Sequence, residues 1–281
     1  MLRGGHAKLR YASSRSSRHE FGYSGFWRQI TGLAEKASPT VRNDAGDSFK
    51  SSLTHTWISD TRDFPLLPSS GTLLKTTTEL AGSGPLAGDV GFLKPEAEFQ
   101  NAIPLGSGIS LVTGLRGGLL YPLSVGMDGD GPAPSLINDR FQLGGPTDVR
   151  GFRLSGLGPR DGQDAVGGDV YAAGSVSLLA PFPRAEPGTP LRFQAFINAG
   201  RLLALKQPKG SKEFDSENVG RSVRDTVLAL GDGLPSCAAG VGIVYAHPVA
   251  RFELNFSLPL VLRRGEEGRK GVSLGVGVSF M

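Results

Sequence analysis

From Arg251 to Leu258 apolar and polar side chains alternate almost without fault. Phe252, Leu254, Phe256 and Leu258 fall on one side, and Arg251, Glu253, Asn255 and Ser257 on the other. A period of two is the mark of a strand with one apolar and one polar face. The final run repeats it, with Val272, Leu274, Val276, Val278 and Phe280 set against Gly271, Ser273, Gly275, Gly277 and Ser279. Weaker versions occupy Phe21 to Arg28, Ser48 to Asp60, Thr72 to Ala81, Phe92 to Ile103, Ile109 to Tyr121, Val170 to Ala180, Leu191 to Gly200 and Ala238 to His247. The pattern predicts about ten strands and no convincing amphipathic helix, so the chain reads as all-β. Strands joined in sequence by turns predict an antiparallel meander.

Several of these runs reach about 10–13 residues, beyond the usual 5–6 of soluble sheets. Short turns and long loops loosely alternate, as in outer-membrane barrels. Tyr121, Phe182, Tyr245 and Phe280 stand near strand ends, where interfacial aromatic girdles form. A soluble β-sandwich also alternates, with its polar face in water, so periodicity alone leaves a membrane barrel and a sandwich both open. Gly, at 41 residues, suits barrel bends and close backbone packing. Pro95 is awkward within a central strand. The chain has no apolar run long enough for a membrane-spanning helix, which does not bear on barrel strands.

The chemistry present is sparse. Cys237 is the single cysteine, which excludes an internal disulfide and any multi-cysteine metal site. His6, His19, His55 and His247 show no ligand spacing. There is no phosphate loop and no nucleophile elbow. Glu96 and Glu98 share a strand face and could form an acid/base pair, but with Lys94 beside them they read as a polar row facing water or a lumen. His55 is the one histidine inside a strand, and no serine context marks a partner. No basic run with interleaved aromatics points to nucleic acid, and a net charge of +4 says little. No catalytic residue, metal site or cofactor is expected.

Two segments stand apart from the strands. Residues 1–20 are rich in Arg and Ser with no acid before Glu20; this is the composition of a mitochondrial transit peptide, or of a flexible or wrongly assigned start. Residues 124–168 form a long loop rich in Gly, Pro and Asp. Such loops are usually functional or disordered. This one carries Phe141, Leu143, Val149, Phe152 and Leu154, with Arg140, Arg150 and Arg153 among them. That composition predicts a loop packed into something, with at least one buried cation. A second polar loop spans 201–233.

The stretch Phe141-Gln142-Leu143-Gly144-Gly145-Pro146-Thr147-Asp148-Val149-Arg150-Gly151-Phe152 resembles the signature loop of the bacterial surface antigen superfamily of outer-membrane barrel-assembly and translocation proteins. Within it, the chain is similar to the central barrel subunits of the mitochondrial sorting and assembly machinery. Gly25-Phe26-Trp27-Arg28, Asp60-Thr61-Arg62-Asp63, Leu66-Leu67-Pro68, Phe196-Ile197-Asn198-Ala199-Gly200 and Arg251-Phe252-Glu253-Leu254-Asn255-Phe256 agree in order. The likeness runs from about Phe21 to the C-terminus.

The resemblance implies a sixteen-stranded transmembrane barrel preceded by a soluble module, of which residues 21–281 would be the C-terminal portion. It implies an activity that is not enzymatic: inserting precursor β-barrel proteins into the mitochondrial outer membrane, with the lipid bilayer and other subunits of the sorting and assembly complex as partners. The alternative on the same fold is a translocation pore of a bacterial or plastid outer membrane; a soluble sandwich with a binding role is the other. The tetrad Val149, Arg150, Gly151 and Phe152 would cap a loop folded back into the lumen. A buried Arg150 needs a partner. Where the family commonly has an Asp, this chain has Asn198, so Asp169 or Glu253, or Asp148 beside it, is expected to compensate. Gly151 permits a positive φ. Ser273, Gly275, Val278 and Phe280 resemble the sorting signal of mitochondrial barrel proteins. With the soluble module and the first strands absent, the expectation is a truncated member whose sheet closes irregularly.

Overall fold

The computed structural model describes residues 1–86, 88–125, 132–183, 189–205, 216–278 and 280. Eleven long strands follow one another in a single antiparallel sheet. They begin with β1 (Leu2–Ala12), β2 (Ser17–Ile30), β3 (Gly46–Asp60), β4 (Gly71–Ala81), β5 (Phe92–Gly106) and β6 (Ile109–Leu119). Three short pieces come next: β7 (Tyr121–Pro122), which pairs with β5, and the small hairpin of β8 (Arg160–Asp161) and β9 (Asp164–Ala165). The meander resumes with β10 (Val170–Pro181), which pairs with β6, and continues through β11 (Leu191–Leu203), β12 (Ser236–Ala246), β13 (Arg251–Val261) and β14 (Gly271–Gly277). The connections alternate: 13–16, 61–70, 107–108, 182–190 and 247–250 lie at one end, the turn end. Connections 31–45, 82–91, 120–169, 204–235 and 262–270, which include the three longest, lie at the other, the loop end.

The sandwich alternative fails because there is one meandering sheet rather than two stacked ones. Its outward face is apolar. Phe21, Tyr23, Phe49, Leu53, Phe99, Leu115, Val176, Ile197, Val241, Leu254, Phe256 and Leu274 are all exposed. Its other face buries Gln100, Ser175, Gln194, Asn198, Arg251, Glu253 and Asn255. An apolar exterior of this extent needs an apolar solvent, and inside-out polarity is the arrangement of a barrel in lipid. The sheet also curls. Arg251 on β13 donates to the Leu66 carbonyl between β3 and β4 at 3.1 Å. β4 and β13 are six steps apart in strand order, or roughly 29 Å in a flat sheet at about 4.8 Å per step. Extraction at alkaline pH is expected to leave the protein in the membrane pellet; release into the supernatant would refute the lipid-facing assignment.

Prolines sit where the ladder is already broken. Pro95 pairs with Thr78 of β4, and on its other side it falls between the end of β6 pairing at Glu96↔Gly118 and the start of β7 pairing at Leu93↔Tyr121. Its missing N–H therefore costs no ladder bond. Pro104 and Pro259 lie beside register shifts.

Five expectations need correction. Residues 1–20 are not a flexible segment. β1 pairs with β2 along its whole length, from Leu2↔Arg28 to Ala12↔Arg18. The Arg-rich composition hid an alternation in which Lys8 and Arg10 turn to Glu20 while Leu9 and Tyr11 turn outward. The 201–233 loop contains a helix, α2 (Ser216–Ala229). It buries Val219 and Val223 against Val170 and Leu205, with Leu119 and Tyr121 packed alongside. This takes Tyr121 out of the girdle, whereas Phe182 stacks on outward Phe193 at 3.9 Å. The last strand stops at Gly277, because its final pair, Arg251↔Gly277, uses the first residue of β13. Val278 is an exposed bend, Ser279 lies outside the described residues, and Phe280 turns inward to 6% exposure beneath the Arg251 guanidinium. Ser273 and Gly275 remain on the inward face of β14. Finally, Leu154 was expected to pack with the loop, but it is 82% exposed.

Candidate functional site

Loop 124–168, of which 126–131 lie outside the described residues, folds onto the polar face of the sheet. Phe141, Leu143, Val149, Phe152 and Leu157 join Phe92, Leu120, Tyr171, Leu202 and Ala238 in one apolar cluster. Bridges Phe141↔Gly168 and Leu143↔Leu157 fold the loop back on itself. Asp148 accepts from the Gly144 N–H at 2.9 Å and from Arg116 of β6 at 3.0 Å, which secures the turn that presents Val149 and Arg150. Gly200 on β11 leaves room for it, since a Cβ there would stand 2.9 Å from Leu143.

Arg150 is 0% exposed. Its Nε donates to Glu253 Oε2 at 2.8 Å and its Nη2 to Oε1 at 3.1 Å. This two-pronged geometry is the strongest that arginine offers a carboxylate. The guanidinium lies over the Phe196 ring at 4.9 Å. Glu253 also pairs with Arg251 at 2.5 Å and accepts from Asn255 Nδ2 at 2.7 Å. Two guanidinium groups share one carboxylate here, and Gln194 accepts from Arg251 at 3.0 Å. The charges are tolerated in burial because each cation is paired with the carboxylate.

Of the three candidate partners for Arg150, the structure brings Glu253 to its guanidinium. Asn198 contacts Arg150 differently, donating from Nδ2 to its main-chain carbonyl at 2.9 Å. Asp169 is not a partner of Arg150. It accepts from Ser135 and from the Leu205 N–H, and lies 3.9 Å from Arg140. Arg251 was not foreseen as a second cation, although its place two residues before Glu253 on the same strand face was a readable signal. Gly151 has φ +87°, and its main chain accepts from the Arg269 N–H at 2.8 Å. Phe152 is buried and bridges to Gly268.

The other side chains considered at the sequence level lie elsewhere. Glu96 accepts from Tyr171 and Glu98 lies 4.0 Å from Lys75, both on the inner face. His55 meets His19 at 3.1 Å across β2 and β3.

The Omp85 superfamily domain matches residues 3–280, so the likeness begins well before Phe21. A SAM50-like protein of Schizosaccharomyces pombe is 41% identical over 268 residues, covering 95% of this chain and 52% of that protein. The sorting assembly machinery 50 kDa subunit of Saccharomyces cerevisiae is 31% identical, covering 94% of this chain and 51% of that protein. The chain spans about half the length of the curated relatives it matches. Among solved structures, BamA from Haemophilus ducreyi lacking POTRA domains 1–3 is similar in fold, with a TM-score of 0.70 at 14% identity, over 98% of this chain and 54% of that one.

Proposed function

Because this chain belongs to the Omp85 superfamily, we propose that it acts in the mitochondrial outer membrane as barrel wall of a sorting and assembly subunit. Its substrates are precursor β-barrel proteins, and its partners are the bilayer and the other subunits of that machinery. The yeast relative named as a sorting assembly machinery subunit supports this reading. The observation that carries it is the buried Arg150–Glu253 pair, through which a loop from the loop end grips the inner wall of an apolar-outside sheet. Such a loop does no bond chemistry. It holds the wall in shape while another chain folds beside it. Val149 and Phe152 supply the apolar grip, Arg150 the electrostatic one, and Gly151 the turn between them.

The decisive assay uses the purified protein in liposomes with an unfolded precursor barrel. Protease-protected, heat-resistant precursor is expected to accumulate faster than in protein-free liposomes. Equal rates would remove the insertion reading and leave a structural barrel.

A further inference from the structure

Arg150 fixes one end of the segment 139–150 within the loop; a second buried charge, Asp139, fixes the other. Asp139 is 3% exposed. Its Oδ1 accepts from Arg28 Nη1 at 2.7 Å and Lys50 Nζ at 3.2 Å, and its Oδ2 accepts from Arg28 Nη2 at 3.0 Å. Its main-chain carbonyl accepts from Lys94 Nζ at 2.9 Å. The three cations come from β2, β3 and β5. Lys94 also lies over the Phe141 ring at 4.2 Å, so the residue two places further along the loop is held as well. Lys50 has a second carboxylate, Glu79, at 2.7 Å. Among the described residues, Arg28 has Asp139 alone.

The same early strands are tied to the loop through α1 (Pro39–Asn43), in the connection from β2 to β3. The Ser38 N–H donates to Asp164, and the Thr40 N–H and hydroxyl donate to Asp161. Asp44 accepts from the Ile137 N–H at 2.7 Å. The Thr40 contacts hold the Asp161 carboxyl below the ordinary value. Beyond Arg150, the far part of the loop is tied to the last hairpin, where Arg153 N–H donates to the Glu267 carbonyl at 3.0 Å and Arg160 pairs with Glu267 at 2.6 Å.

We infer that Asp139 is a positioning residue that makes the loop a two-ended strut, setting the spacing between the β1–β3 strands and the β13–β14 hairpin. The inference deepens the insertion reading and rests on it for its biological meaning. Without Asp139 the loop would reach the early strands only through α1 and the residues flanking it, outside the sheet itself. With Asp139 in place, β2 and β13 are held through one rigid segment. A buried carboxylate with three cations around it is poorly replaced by a neutral group, because Arg28 would keep its charge and lose its counter-charge.

The test measures spacing directly. Spin labels are placed at Phe21 and Leu274, both outward-facing, in a Cys237→Ser background of the whole protein in lipid nanodiscs, and distances are read by pulsed electron resonance. A single narrow distance population is expected in the parent. Asp139→Asn is expected to lose it to a broad distribution, and Asp139→Glu to retain it. A narrow, unshifted distribution in folded Asp139→Asn overturns the strut. Should that variant not fold, Lys94→Gln removes the bond to the Asp139 carbonyl and the contact over the Phe141 ring but leaves the carboxylate pairs of Asp139 in place; it is expected to broaden the distribution less, and an unchanged one overturns the inference. This readout needs no precursor protein, so its failure is separate from failure of the insertion assay. Loss of precursor folding with unchanged distances would also count against the strut.

Discussion

Arg150→Glu is expected to abolish the heat-resistant folded form of the protein. Removing one partner of a buried pair costs about 3–5 kcal/mol, against a total stability of about 5–15 kcal/mol for an ordinary domain. The reversal does more than remove a partner. It sets a second carboxylate against Glu253, which would then be paired only with Arg251 among the charges around it. Arg150→Lys is expected to fall between, since an ammonium cannot reproduce the two parallel bonds at 2.8 and 3.1 Å. The exchange Arg150→Glu with Glu253→Arg should recover part of the loss, although Arg251 then faces a like charge. The measurement is the fraction of protein running as the compact band in unheated detergent gels, followed by precursor folding in liposomes. Parent-like behaviour of Arg150→Glu in both would show that the loop is not held by this pair.

Gly151→Ala carries the second large effect, and it has two separable sources. The φ of +87° is strained for any residue with a Cβ, at about 1–3 kcal/mol. A Cβ built there would stand 2.5 Å from Ala238 Cβ on β12. Overpacking of that kind costs about 1–3 kcal/mol. Adding Ala238→Gly should relieve the clash and leave the backbone strain, so the double variant is expected to recover roughly half of the loss in urea midpoint. Full recovery would mean that the conformation is unstrained, and no recovery would mean that the clash is absent.

Much of this was readable from residue order. The alternation in β13 and β14 told which side chains face lipid, because a two-residue period allows no other arrangement on a wall with apolar solvent outside. The need of Arg150 for an acidic partner followed from burial alone. Which acid answered it did not: Glu253 and Asp169 are both inward, and the choice depends on how deep the loop reaches beside β11 to β13. Asp139 escaped notice because its cations lie 111, 89 and 45 residues away in sequence, and nothing local marks it. β1 was hidden by its composition. α2 was hidden because its described buried apolar side rests on Val219 and Val223. Phe280 followed the alternation in sequence but not in space, because an edge strand ends where its neighbour does.

The bond from Arg251 to the Leu66 carbonyl joins residues 185 apart, and this bears on the order in which the chain acquires structure. Closing so long a segment carries an entropic cost that local pairing does not, and contacts of large sequence separation slow folding. The β3–β4 connection receives this inward bond only once the eleven-residue β13 is present. Neighbouring strands can therefore pair early, but the inward bond between the β3–β4 connection and β13 forms only when these distant segments meet.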